Sequence, residues 1–330
     1  MSMILRAVIF YLLLGSVQAV PRPEAQEPVP GKIVEKVNCR RDPGQSYALY
    51  LPSGYTADRK WPILYALDPG ARGLLPVQRF QNAAEKYGYI VAGSNNSRNG
   101  PIRIVQDAMD ALLADTDARF ALDSKRIYLA GFSGGARVAV MIGFALKGRV
   151  AGVIGCGAGF PPSIAPSTSI PFSWSGSTGI EDFNFPELKE LDQTLGRLAI
   201  PHELEIFPGG HDWPPATVCT RALEWMELQG MKSGIRARDD AIMGEIFSRR
   251  LAEAQALESG RQVYQAFLRY DALAKDFAGL RDTNEFQMKS AHLAQSAEVR
   301  RALALERDSV DRQRRTDFIE IARGGPRSGL

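Results

Sequence analysis

Gly131-Phe132-Ser133-Gly134-Gly135 is the stretch whose reading decides the fold. Before it runs Arg126-Ile127-Tyr128-Leu129-Ala130, an apolar run with the length of a buried strand. After it runs Ala136-Arg137-Val138-Ala139-Val140-Met141-Ile142, with the look of a buried helix. A serine on so sharp a strand-to-helix turn takes a strained backbone conformation that pushes its hydroxyl out of the sheet. Glycines two positions before and after it are required because a Cβ there would meet neighbouring backbone. The turn also aims the Gly134 amide, at a helix N-terminus, toward a negative charge forming beside the serine.

A serine hydroxyl is a weak nucleophile until a base takes its proton. The chain holds three histidines, His202, His211 and His292. His292 falls in a polar helical segment and His202 opens a strand. His211 follows that strand in Phe207-Pro208-Gly209-Gly210-His211-Asp212-Trp213-Pro214, a tight loop at the strand's C-terminal end. In an open α/β sheet that end is where ligands bind. Between Ser133 and His211, the segment 171–184 reads as a strand opening into a glycine turn with acids just beyond. Asp182 is the expected orienting carboxylate and Glu181 the runner-up. Helix-terminal charge is the structural alternative for both. The chain order, serine then acid then histidine, is that of α/β-hydrolases rather than of the chymotrypsin or subtilisin folds.

Residues 38–230 resemble the α/β-hydrolase superfamily, most closely its secreted esterases of the polyhydroxybutyrate-depolymerase and feruloyl-esterase kind. The likeness is carried by residues 131–135, 179–184 and 209–213. It implies a Ser-His-Asp esterase acting on small or polymeric esters through an acyl-enzyme. One departure stands out. Where many relatives carry His-Gly after the third strand, this chain has Leu67-Asp68-Pro69-Gly70-Ala71-Arg72-Gly73. Proline has no N–H, so the second oxyanion amide is expected from Gly70 or Ala71. Trp213, two residues from the base, is expected to wall the cleft, and Asn95, Asn96 and Arg98 are candidates for its rim.

From 32 to 230, apolar runs alternate with amphipathic segments, which predicts a mostly parallel eight-stranded sheet with helices on both faces. Segment 157–170 is only a loop long, so no cap domain is expected over the cleft. A linker is expected over 231–238. Apolar residues then recur at helical spacing over 239–323, a region with a weak tetratricopeptide likeness. This helical tail is expected to be dispensable for chemistry and is a candidate surface for a protein partner.

Arg6 followed by an apolar stretch and Val17-Gln18-Ala19 reads as a signal peptide over 1–19, implying a secreted or periplasmic protein; an uncleaved anchor is the alternative. Residues 20–31 and 324–330 read as disordered. No membrane span is expected once the signal is removed. The 330 residues carry a formal charge of only +3 and no long basic run, which gives nucleic-acid binding no support. Cys39, Cys156 and Cys219 cannot form a complete disulfide framework, and no spacing suits a metal, dinucleotide or phosphate loop. No cofactor is expected. A peptidase or thioesterase with the same triad is the alternative within enzymes. A non-catalytic binding protein with a helical interaction tail is the alternative from another class.

Overall fold

The computed structural model describes residues 28–322. The signal segment, most of the proposed disordered N-terminus and the 324–330 tail lie outside the described residues. Eight strands form one sheet: β1 (Ile33–Asn38), β2 (Ser46–Tyr50), β3 (Trp61–Leu67), β4 (Ile90–Ser94), β5 (Leu122–Phe132), β6 (Val150–Cys156), β7 (Ser173–Gly179) and β8 (His202–Phe207). Their spatial order is β1-β2-β4-β3-β5-β6-β7-β8. β2 is antiparallel to both neighbours, and the remaining pairings, from β4 to β8, are parallel. This is the α/β-hydrolase fold, with the strand-to-helix turn after the central strand β5.

The near-continuous apolar strands follow from burial on both faces. Along β3, Ile63, Tyr65 and Leu67 point into one core while Leu64 and Ala66 point into the other. The first of these cores is covered by α2 (Ile102–Arg119), α3 (Gly134–Ala145) and α4 (Phe185–Arg197). The second is covered by α1 (Leu74–Tyr87) and α5 (Ala216–Ser233). Cys156 ends β6 as a fully buried thiol, its pKa pushed up to about 12 by desolvation.

The C-terminal helices are α6 (Asp240–Ser259), α7 (Val263–Phe277), α8 (Asn284–Leu293) and α9 (Ala297–Ala322). They correct the expected division into two domains with a linker. Met231–Ser233 complete α5, which ends on Gly234 in the left-handed conformation. The turn that follows is anchored: Arg236 pairs with buried Glu227, which Tyr89 and Arg126 also contact. The apolar cluster of α1 and α5 continues without a break through Met243, Ile246, Phe247, Leu273 and Phe277 to Leu293. Between the two lies a buried ionic network. Arg250 of α6 donates to Asp276 of α7 at 2.7 Å, and Trp225 of α5 donates to the same carboxylate at 3.0 Å.

From there the helices pass round the free edge of β8. Arg269 of α7 forms a two-pronged bond to Glu205 of β8 at 2.6 Å on each prong, and a cleft of about 600 Å³ remains alongside. On the far side, Lys189 of α4 pairs with Glu306 of α9 at 2.9 Å. No helix among the described residues is long and apolar enough to cross a membrane.

Candidate active site

Ser133 stands between β5 and α3 with φ 52° and ψ −121°, a conformation that side-chain-bearing residues adopt only under strain, at a cost of about 1–3 kcal/mol. Both flanking glycines are required by contact. A Cβ on Gly131 would lie 2.1 Å from the Gly135 carbonyl oxygen, and one on Gly135 would lie 2.3 Å from that of Leu67. The Ser133 amide is held by the Cys156 carbonyl at 2.8 Å. The result is a half-exposed hydroxyl at the C-terminal end of the sheet.

Two loops meet that hydroxyl. The one after β7 carries Asp182 and the one after β8 carries His211. They are joined by backbone bonds from Ile180 to Phe207 and from Glu181 to Gly209, both 2.9 Å. Gly179 permits the approach, because a Cβ there would lie 2.2 Å from the Gly209 carbonyl oxygen. His211 Nε2 is 2.9 Å from Ser133 Oγ, and its Nδ1 is 2.9 and 3.0 Å from the two Asp182 oxygens. The Asp182 side chain is 1% exposed and accepts a further bond from the Asn184 amide at 2.8 Å. Glu181 points into solvent and takes no part. The structure thus brings together Ser133, His211 and Asp182, with the nitrogen facing the serine free to act as an acceptor when Nδ1 carries the proton.

His202 and His292 lie elsewhere. His202 bonds the Ile200 carbonyl and faces Asp192 near the opposite end of β8, and His292 is exposed on α8.

The imidazole is packed on both sides. Phe132 lies beneath it, ring centroids 4.7 Å apart, and Phe183 above it at 4.2 Å. Phe183 is 67% exposed, an unusual placement for so large an apolar ring. The sequence held a signal for it, an aromatic directly after the orienting acid, which reads equally well as the first residue of a helix.

The expected wall and rim residues need correction. Trp213 is 2% exposed and lies under Phe132, where its Nε1 donates to Asp68 Oδ2 at 2.7 Å. It supports the floor and cannot wall the cleft. Asn95 and Asn96 are spent on backbone. Asn95 donates to the Glu35 carbonyl and Asn96 to that of Gly44, while Asn96 Oδ1 accepts from the Ser46 amide. They tie the end of β4 to β1 and β2. Neither side chain is available to a substrate.

The oxyanion assignment changes as well. The Gly134 amide opens α3 as expected. The Gly70 amide, however, donates to Asp68 Oδ1 at 2.8 Å, and that of Ala71 to the Asp68 carbonyl at 3.1 Å. Asp68 was not singled out by sequence. Burial alone would raise its pKa, but bonds from Arg72, Trp213 and the Gly70 amide outweigh burial and hold the carboxyl below its usual range. An ionised, buried carboxylate therefore occupies the Gly70 amide, and the Asp68 backbone carbonyl occupies that of Ala71.

Comparison with family models finds no match, and comparison with curated proteins finds none. Among solved structures the chain is similar to an S-formylglutathione hydrolase from Staphylococcus aureus, at 17% identity over 60% of this chain and 98% of that one, with a TM-score of 0.48. It is also similar to esterase B from Lactobacillus rhamnosis, at 15% identity over 63% and 90%, with a TM-score of 0.49. A carbohydrate esterase from gut microbiota is similar at 14% identity over 62% and 99%, with a TM-score of 0.48.

Proposed function

We propose that this chain of α/β-hydrolase fold is a serine esterase, exported under its N-terminal signal, that cleaves carboxylic esters through an acyl-enzyme. The observation that carries the reading is the unbroken relay from Ser133 Oγ through His211 to Asp182, at 2.9 Å on either side of the imidazole. Ser133 attacks the ester carbonyl while His211 Nε2 takes its proton. Asp182 keeps the Nδ1 proton in place and stabilises the imidazolium that forms. The Gly134 amide donates to the oxyanion of the tetrahedral intermediate. Collapse expels the alcohol, which leaves with the proton from His211. Water, deprotonated by the same histidine, then releases the acid.

The substrate class follows from the surroundings. The β6–β7 connection contains no helix, so no helical cap closes over the serine from that connection. The exposed Phe183 ring offers a flat apolar face beside the reacting atoms, which suits short-chain or aromatic esters.

The test combines a fluorophosphonate probe with turnover of a soluble aryl ester. The wild-type protein should be labelled on Ser133 and should hydrolyse the ester. Ser133→Ala should lose both while melting normally. Wild-type turnover in that variant would overturn the proposal.

A further inference from the structure

We infer that Asn99 is the second oxyanion donor, its carboxamide taking the place of the amide that Asp68 occupies. The inference rests on the serine-esterase reading and names a residue of that same site.

Three observations carry it. The first is a vacancy of role: catalysis of this kind uses two converging donors, and the Gly70 and Ala71 amides both donate to Asp68. The buried carboxylate is fixed by Arg72 at 2.9 Å on both oxygens and by Trp213 at 2.7 Å, so it is not free to turn away.

The second is the position of Asn99. The 95–100 loop is stitched to the 68–73 loop by a bridge between Gly70 and Arg98 and by a bond from the Asn99 amide to the Pro69 carbonyl at 2.9 Å. This delivers the Asn99 side chain to the residue that follows the nucleophile. A Cβ on Gly134 would lie 2.0 Å from Asn99 Oδ1, 2.9 Å from its Cγ and 3.1 Å from its Nδ2. The elbow itself demands glycine two residues from the serine, at 131 and 135, and makes no such demand at 134. Gly134 is glycine because the Asn99 carboxamide fills the space a side chain would need.

The third is availability. Asn99 is exposed and its side chain makes no hydrogen bond among the described residues, whereas those of Asn95 and Asn96 are both engaged. Half a turn about the terminal torsion exchanges its oxygen and nitrogen at little cost. Either end can then face the cleft, and the amino end donates to an oxyanion held by the Gly134 amide.

The experiment measures kcat and KM for a soluble aryl ester with Asn99→Ala and with the isosteric Asn99→Asp, each checked by thermal melting. Both should lower kcat about 100-fold, as loss of one such donor does, with KM changed little. Asn99→Asp, which keeps the shape and loses the donor, should be at least as impaired as Asn99→Ala. Full kcat in both variants, beside an active wild type, would overturn the role of Asn99 and leave the esterase reading standing. A change confined to KM would make Asn99 a binding residue and would equally overturn the inference. A wild-type protein without turnover or probe labelling would remove the esterase reading and this inference with it.

Discussion

At the scale of single residues, the proposed relay makes unequal demands on its members. Asp182 is the carboxylate within bonding distance of His211 Nδ1, and Glu181 faces solvent. Asp182→Asn should lower kcat about a thousandfold or more, because the amide no longer holds the productive tautomer. Glu181→Gln should stay near wild type, and the reverse pattern would exchange their roles. Phe183 invites a subtler measurement. Its ring packs on His211 and is otherwise exposed, so Phe183→Ala can lower turnover of every ester. The ratio of kcat/KM for an aryl ester to that for an aliphatic acetate cancels the part acting through His211. That ratio should fall about 2- to 10-fold, the worth of one aromatic contact. An unchanged ratio would remove Phe183 from substrate binding. The grouping of Ser133, His211 and Asp182 was legible in sequence because each stands in a short local pattern: a glycine-flanked serine, an acid after a glycine turn, a histidine after two glycines. The surrounding groups were not. Asn99 reaches Gly134 only through bonds between two loops distant in sequence, and Trp213 looks like a wall until Phe132 is seen to lie above it.

At the scale of elements, the alternation of apolar runs and amphipathic segments predicted the mostly parallel eight-stranded sheet that the structure has. The joint between α5 and α6 was the failure. Gly234 reads as a linker glycine, yet it caps α5 in the left-handed conformation, and the turn beyond it is tied down by Arg236. The helical apolar spacing of α6 and α7 gave no sign of buried charge. In fact Arg250 is 6% exposed among Asp276, Glu224 and Glu203. Burial pushes the Glu203 carboxyl well above its usual range, with Asp276 adding to the shift, and burial likewise raises Asp276 against the pull of Arg250. Removing the cation should be severe. Arg250→Ala should cost about 3–5 kcal/mol, the usual loss on breaking a buried pair. The sign of its pH dependence follows from linkage. A carboxyl whose folded pKa is raised binds more protons folded than unfolded, so stability declines as pH climbs above the ordinary carboxylate range. Without Arg250 the shift grows, so the gap between variant and wild type should be wider at pH 8 than at pH 5. Thermal unfolding of both proteins at the two pH values checks it, and a gap that widens toward acid would contradict this account of the network.

At the scale of the whole molecule, the shared core reverses the expectation that the tail is dispensable. A fragment ending at Gly234 would strip Met243, Ile246 and Leu273 from the apolar cluster they share with Trp225 and Leu228, and would leave the Asp276 partner of Trp225 missing. A large exposed apolar patch of that kind promotes association. The fragment 20–234 should therefore be insoluble or inactive beside 20–330, and a soluble fragment with full turnover would restore the two-domain view. The passage of the last helices round β8 also bears on biogenesis. Translation proceeds at about 5–20 residues per second, so everything up to Ser233 is made several seconds before Leu293, the last residue of the shared core, exists. During that interval Glu205 of β8 lacks Arg269 and α5 lacks its apolar partners on α6 and α7, and an open strand edge is a template for pairing with another chain. The nascent chain must wait for its own C-terminus. Its yield in the cell should consequently depend on a holding chaperone far more than its final stability would suggest.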